Sequence, residues 1–268
     1  MIKPGKIQQK ARKVGVRDQQ IEKDYILSWI LQGIAQHEHL SKAIVFKGGT
    51  LLKKVYFEDY RFSEDLDFTL LDDNILNEQI FDWFLEVFKF IHEEANIPLE
   101  IKDNNEHEDG GINFYISYIG PLGGLGVNKK VKVDIARAEQ MEFNPISKDV
   151  FLDYSDQEKH QLLSYSLEES LVEKMRSVMQ RMQARDFYDI WYLLEIYGMN
   201  VNLYINEFRA KCESKGLNPA DFQKKLEQRI PQYKGRWQKS MKEQIQNLPD
   251  FDQVKRQTMR QLRNLKTN

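Results

Sequence analysis

Two aspartates two residues apart, Asp65 and Asp67 in "SEDLDFTLL", are where residue type and spacing point most directly to chemistry. Polar and apolar residues alternate through this stretch, which predicts a strand, and in a strand residues two apart share a face. The two carboxylates then project together while Leu66 and Phe68 turn to the core. Held so close, they repel unless a cation lies between them. Mg2+ favours one or two carboxylates completed by substrate phosphate oxygens. D-x-D on a strand is therefore a platform for a metal and a nucleotide, although a strand with one wet face can show the same pattern for solubility alone.

Neighbouring residues add to the platform. "KAIVF" predicts a short apolar strand running into Gly48-Gly49-Thr50 at the start of a brief helix, "TLLKKVYF". Such a turn offers bare backbone N–H groups and a hydroxyl where a triphosphate could bind. Ser63, two residues before Asp65, can face the same side. Farther along, "KVKVDIA" places Asp134 on a predicted strand whose Val131, Val133 and Ile135 face one way and whose Lys130 and Lys132 share the face of Asp134. A third carboxylate at the end of a neighbouring strand would complete a two-metal site. Two divalent ions can activate an attacking hydroxyl and stabilise a leaving pyrophosphate at phosphorus. Such catalysis is positioning and charge neutralisation, with no need for a nucleophilic side chain. Accordingly, the chain has no Ser-His-Asp signature, no H-E-x-x-H and no Walker loop, and His37, His92, His107 and His160 read as surface residues.

The elements that must position these residues follow from periodicity. "DQQIEKDYILSWILQGIAQ" has apolar residues at helical spacing with Asp18 as N-cap. "DDNILNEQIFDWFLEVFKFIHEEAN" is a long amphipathic helix stopping before Pro98, and "PLEIKD", "INFYISYI" and "KKVKVDIA" are three strands. The glycine-rich "GPLGGLG" lies between two strands rather than before a helix, so it reads as a hairpin connection and not a dinucleotide loop. Beyond residue ~160 the pattern turns helical. "SLEESLVEKMRSVMQRM" opens with a capping box, Ser166 with Glu169, and "RDFYDIWYLLEIYG" closes at Gly198. "NPADFQKKLEQRI" and "DQVKRQTMRQLRNLK" are further helices. The expected fold class is α+β: a small mixed β-sheet core flanked by helices over 1–160, with an N-terminal helix, then an all-helical C-terminal domain over 161–268.

Bulk composition sets the frame. With 268 residues, 41% apolar, 30% charged and a net charge of −2, the chain can bury an ample core. No run approaches the roughly 18 apolar residues of a membrane span. The N-terminus is basic but lacks the apolar centre of a signal peptide. The single cysteine, Cys212, rules out an intrachain disulfide framework and a multi-cysteine zinc site. A cytoplasmic protein is expected. From Glu207 onward, 15 Lys and Arg stand against 7 Asp and Glu (+8), which leaves −10 for the preceding part. That asymmetry suits a polyanionic partner, and it equally suits Lys-rich helices kept soluble.

The combination of a hydrophobic strand ending in Gly-Gly, a D-x-D strand and a later isolated Asp resembles the DNA polymerase β-like nucleotidyltransferase superfamily. More closely, "IEKDYIL", "FKGGTLLKKVY", "RFSEDLDFTL", "EESLVEKMRSVMQR" and "ARDFYDIW" resemble, in order, the nucleotidyltransferase toxins of the AbiEii/AbiGii abortive-infection type. The matching segments spread from about residue 21 to 192. The resemblance implies that Asp65 and Asp67 are catalytic metal ligands, with Asp134 as a third ligand on the superfamily pattern. It also implies that Gly48, Gly49, Thr50 and Ser63 cradle the triphosphate, that Lys174 in "VEKMR" neutralises phosphate charge, and that Asp186 in "ARDFYDIW" is an essential acid. Taken without it, Lys174 beside Leu171, Val172, Met175 and Val178 reads as a snorkelling lysine. Likewise, Arg185 and Asp189, four apart, read as a helix surface pair. "EKDY", Glu22 to Tyr25, reads as a structural brace.

The function implied is Mg2+- or Mn2+-dependent transfer of a nucleoside monophosphate from an NTP to an acceptor, foremost the acceptor end of tRNA, by a toxin paired with an antitoxin. Alternative readings are a protein or small-molecule hydroxyl as acceptor, or a non-catalytic nucleotide- or RNA-binding module. The C-terminal aromatics Phe208, Phe222, Tyr233, Trp237 and Phe251 are few for a base-stacking platform. The sequence leaves the oligomeric state open.

Overall fold

The computed structural model describes residues 1–124, 129–263 and 265. The chain divides into two compact units, one of Met1–Glu139 with Pro145–Tyr165, the other of Gln140–Asn144 with Ser166–Asn268.

The first unit is built on a seven-stranded mixed sheet in the order β3-β4-β5-β2-β1-β7-β6. Its strands are β1 (Ile44–Lys47), β2 (Asp65–Leu70), β3 (Leu99–Glu106), β4 (Ile112–Tyr118), β5 (Lys130–Ala136), β6 (Ile146–Asp149) and β7 (Gln161–Ser164). β1 runs antiparallel to β2, and β2 runs parallel to β5. β6 and β7 carry no alternation long enough to be read from sequence: the four-residue "QLLS" pairs parallel to β1 at one register point, Phe46 with Ser164. The strand at "PLEIKD" extends farther than its pattern suggests, through Glu106, by way of a bulge between Lys102 and Asn104. The glycine-rich connection begins with a turn from Gly120 to Gly123 (N···O 2.9 Å); its residues 125–128 lie outside the described residues.

Helices α1 (Pro4–Val14), α2 (Asp18–Gln36), the short α3 (Leu40–Ala43) and α5 (Asn77–Ala95) complete this unit. α5 covers the apolar sheet face, with Phe81 and Phe84 edge-on to Phe114 of β4 at 5.3 and 5.0 Å. Gly33 of α2 allows the two helices to approach, since a Cβ there would lie 2.8 Å from Val87. α2 is buried on nearly all sides rather than along one stripe, and Arg17, not Asp18, is its N-cap. Asp18 instead occupies the first turn, where its charge suits the helix dipole.

The second unit is helical throughout, as its periodicity predicts: α6 (Leu167–Gln180), α7 (Ala184–Trp191), α8 (Ile205–Glu213), α9 (Phe222–Met241) and α10 (Phe251–Leu262). A π-helical turn, Tyr192–Ile196, continues α7 up to Gly198 at φ +86°. Ser166 caps α6 by accepting the Glu169 N–H at 3.1 Å. The expected reciprocal half of the capping box is absent, because the Glu169 carboxylate serves other donors: the Glu142 and Phe143 N–H groups at 2.8 and 2.9 Å and Lys211 Nζ at 2.5 Å. The aromatics Phe208, Phe222, Tyr233, Trp237 and Phe251 are all buried, so they form this unit's core and offer no base-stacking surface.

Candidate functional site

β1 ends at Lys47, and α4 (Gly48–Leu51) followed by a π-helical turn, Leu52–Tyr56, starts directly from it. Gly48 adopts φ +83°, and a Cβ on it would stand 2.1 Å from Asp67 Oδ2. The backbone of the turn thus approaches the Asp67 carboxylate more closely than any side chain allows. Gly49 is packed in the same way against the buried Arg61, whose Nη2 would lie 2.6 Å from a Cβ. The Thr50 hydroxyl is committed locally, donating to the Asp65 carbonyl at 2.5 Å with the residue buried. Ser63 is also buried, in the segment entering β2. The glycine turn and the D-x-D strand are therefore tied together by Gly48 against Asp67 and Thr50 onto Asp65.

On β2 the half-exposed Asp65 and Asp67 alternate with buried Leu66 and Phe68. Parallel pairing puts Asp65 opposite Lys132 and Asp67 opposite Asp134, while Lys47 stands opposite Asp67 from β1. One sheet face therefore collects Lys47, Asp65, Asp67, Lys132 and Asp134. Lys132 Nζ donates to Asp134 Oδ2 at 2.9 Å. Partial burial works against its charge, but Asp134, Asp65 and Asp67 outweigh that and hold its pKa above the usual lysine value. His107, set aside as a surface residue, comes within 4.0 Å of Asp134 through its Nε2, which also meets Asn113 at 3.0 Å. Only its place opposite β4 across a tight turn brings it there, which spacing does not reveal. His160 departs from expectation: it is buried, and burial pushes its pKa down.

Asp65 and Asp67 fit one divalent cation shared with phosphate oxygens, being two carboxylates on one face with glycine backbone alongside. Asp134 as placed is occupied by Lys132, and among the described residues no group of three or more His, Cys, Asp or Glu is assembled for a metal.

The second unit holds the other pair of expected site residues. Lys174 of α6 is buried and placed between Asp186 at 2.8 Å and Asp189 at 2.7 Å, both on α7. It does not snorkel, and Asp189 is fully buried rather than on the helix surface. Arg181 adds a two-pronged contact to Asp186, Nε at 2.7 Å and Nη2 at 3.1 Å. Burial alone would raise the Asp186 pKa, but Lys174 and Arg181 outweigh it and hold it below the usual carboxylate value. Asp189 is the member that sequence reasoning gave no site role, although its three-residue spacing from Asp186 puts both on one helix face.

The brace expected at "EKDY" is extensive. Asp24 accepts from the fully buried Lys54 at 2.7 Å and from the Tyr154 hydroxyl at 2.8 Å, and Lys54 also meets Asp153 at 2.8 Å. Glu22 accepts the Leu122 N–H at 2.7 Å, and Tyr25 donates to Asp156 at 2.7 Å. This network ties α2 to the turn that begins with Gly48.

The chain's fold is similar to that of MenT4, a nucleotidyltransferase toxin from Mycobacterium tuberculosis H37Rv, with TM-score 0.63 and 16% identity over 99% of this chain and 91% of that one. It is also similar to JHP933 from Helicobacter pylori, with TM-score 0.55 and 14% identity over 93% of each chain. No curated protein matches the sequence. Among the described residues no helix is long and apolar enough to cross a membrane. Residues 29–257 match the family described as nucleotidyl transferase AbiEii toxin of type IV toxin–antitoxin systems. This match takes in the Gly48 turn, the D-x-D strand and the Lys174–Asp186 pair, and the chain belongs to that family of nucleotidyltransferases.

Proposed function

We propose that the chain transfers a nucleoside monophosphate from an NTP to the acceptor end of tRNA in the cytoplasm, using Mg2+ or Mn2+ at Asp65 and Asp67, and that a cognate antitoxin restrains it. The observation that carries this reading is the tie between the Gly48 turn and Asp67, which sets bare backbone beside a carboxylate pair. In the reaction, an acceptor hydroxyl oxygen bonds to the α-phosphorus, the bond to pyrophosphate breaks, and the hydroxyl proton leaves. When bound, the metal would supply charge neutralisation on the phosphate oxygens.

The chain's own residues do the positioning. Gly48 and Gly49 present backbone to the triphosphate, and Thr50, bonded to the Asp65 carbonyl, fixes the turn beneath it. Ser63 borders the same strand entry, and Asp134 would join the carboxylate pair on release from Lys132. Lys174, placed between Asp186 and Asp189, is assigned to phosphate neutralisation.

Incubation with each labelled NTP, a divalent ion, and either total RNA or total protein tests this directly. Label in tRNA that disappears in Asp67→Asn is expected. Label found in protein and never in RNA would overturn the tRNA acceptor.

A further inference from the structure

A second feature of the first unit is a cavity whose lining includes neither Gly48 nor Asp65 nor Asp67. This cavity, of about 570 Å3, is bounded by α1, the π-helical turn after α4 and the segment 151–155. Lys6, Lys10 and Lys13 line it from α1, at the four- and three-residue spacings that put them on one helix face. Lys53 lines its inner side.

The charges around it do not cancel. Lys54 and Lys10 answer Asp153, at 2.8 and 3.2 Å, and Lys54 answers Asp24. Lys53 is left over. It is only 8% exposed, yet among the described residues its one side-chain hydrogen bond goes to the Glu58 carbonyl, and its ammonium lies 5.2 Å from the centre of the Phe62 ring. Among the described residues no carboxylate oxygen lies within ion-pair distance of it. Burial pushes its pKa down, and the attraction of Asp24 and Asp153 does not make up the difference. A buried ammonium with spare donors, opening on a cavity, wants an anion. Glu58 and Asp59 at the rim are exposed, while Lys6 and Lys13 are exposed cations without an ion pair among the described residues.

We propose that this cavity binds a phosphate group, with Lys53 supplying the buried charge and Lys6 and Lys13 the charges at the mouth. The phosphate can belong to a nucleic-acid backbone or to a free nucleotide; the chemistry at Lys53 is the same for both.

The test uses the full-length protein in EDTA, so that neither a divalent ion nor nucleotide transfer contributes and the result stands apart from the reaction proposed above. Tripolyphosphate, an NTP and a fluorescent single-stranded RNA are titrated into the parent, Lys53→Met, and the double variant Lys6→Gln/Lys13→Gln. Tripolyphosphate is expected to raise the melting temperature of the parent. Lys53→Met is expected to melt no lower than the parent without ligand, to lose that rise, and to bind roughly tenfold more weakly. The double variant is expected to weaken binding and, with RNA, to flatten the slope of log K against log salt by about 1.4. Beside that loss, weaker binding of RNA but not of the NTP assigns the phosphate to a nucleic-acid backbone, and weaker binding of the NTP but not of RNA assigns it to a nucleotide. Unchanged binding of all three probes by both variants overturns the proposal. So does a Lys53→Met protein that melts lower than the parent yet binds as it does, since that lysine would then be structural only.

Discussion

Gly48 holds a left-handed φ of +83° with the Asp67 carboxylate where a side chain would begin. Gly48→Ala therefore meets two penalties, the conformation itself and the displacement of Asp67. Backbone strain of this kind is worth about 1–3 kcal/mol. The variant should melt measurably lower and lose transfer by a larger factor than the lost stability explains. Asp67→Asn acts differently: it should lower kcat by roughly 100-fold or more with a smaller loss of melting temperature than Gly48→Ala, because the backbone of the turn is untouched. At Lys174 the reverse pattern is expected. Asp186→Ala strips a buried ammonium of one of its two carboxylates and should cost about 3–5 kcal/mol in urea unfolding. The Asp186 pKa is lowered in the folded protein, chiefly because Lys174 and Arg181 overcome burial. Its stabilisation is thus complete above its unfolded value of about 4 and is lost as pH falls through the lower folded value. The stability gap between the parent and Asp186→Asn should accordingly shrink as pH drops from about 5 to 3.

At the scale of elements, α2 and the π-helical turn act as one piece through Asp24 and Lys54. A double-mutant cycle between Asp24→Asn and Lys54→Met should give a coupling of about 1–3 kcal/mol by chemical denaturation, and the double variant should be more stable than Asp24→Asn alone. Lys54 is the reason: it is fully buried, and burial works against its charge, which Asp24 and Asp153 offset. Elements with strong periodicity were legible from the sequence: β2 and β5 from their alternation, α5 and α6 from apolar spacing, and the D-x-D face from residue parity alone. β6 and β7 were not, since strands of four residues owe their existence to pairing rather than to pattern. The partner of each polar residue was also beyond reach. Thr50 looked like a phosphate ligand and bonds the Asp65 carbonyl; Glu169 looked like a cap and answers Lys211. A hydroxyl or carboxylate is read by type in a sequence, but what it bonds depends on segments far away in the chain.

Over the whole molecule, charge is distributed unevenly, with +8 from Glu207 onward and −10 before it. If RNA is the acceptor, its binding should weaken steeply with added salt, at about 0.7 log units per log unit of salt for each single-strand phosphate contacted. A flat salt response in filter binding would speak against the basic segment as a contact surface. The two units also share the chain unequally, since Gln140–Asn144 folds with the helical unit although it lies between strands of the other. It supplies the Glu142 and Phe143 N–H groups to Glu169 and the Gln140 carbonyl to Lys211, at 2.6 Å. A fragment starting at residue 166 should therefore unfold more readily than one starting at 140, by about 1–3 kcal/mol in urea.

For recombination this excursion sets a rule. A single crossover near residue 165 between two relatives would join one parent's helices to the other parent's 140–144 segment and leave Glu169 facing a foreign loop. Exchange of the helical half that keeps its carboxylate answered needs the five-residue segment to travel with it, which takes three junctions in the gene and not one.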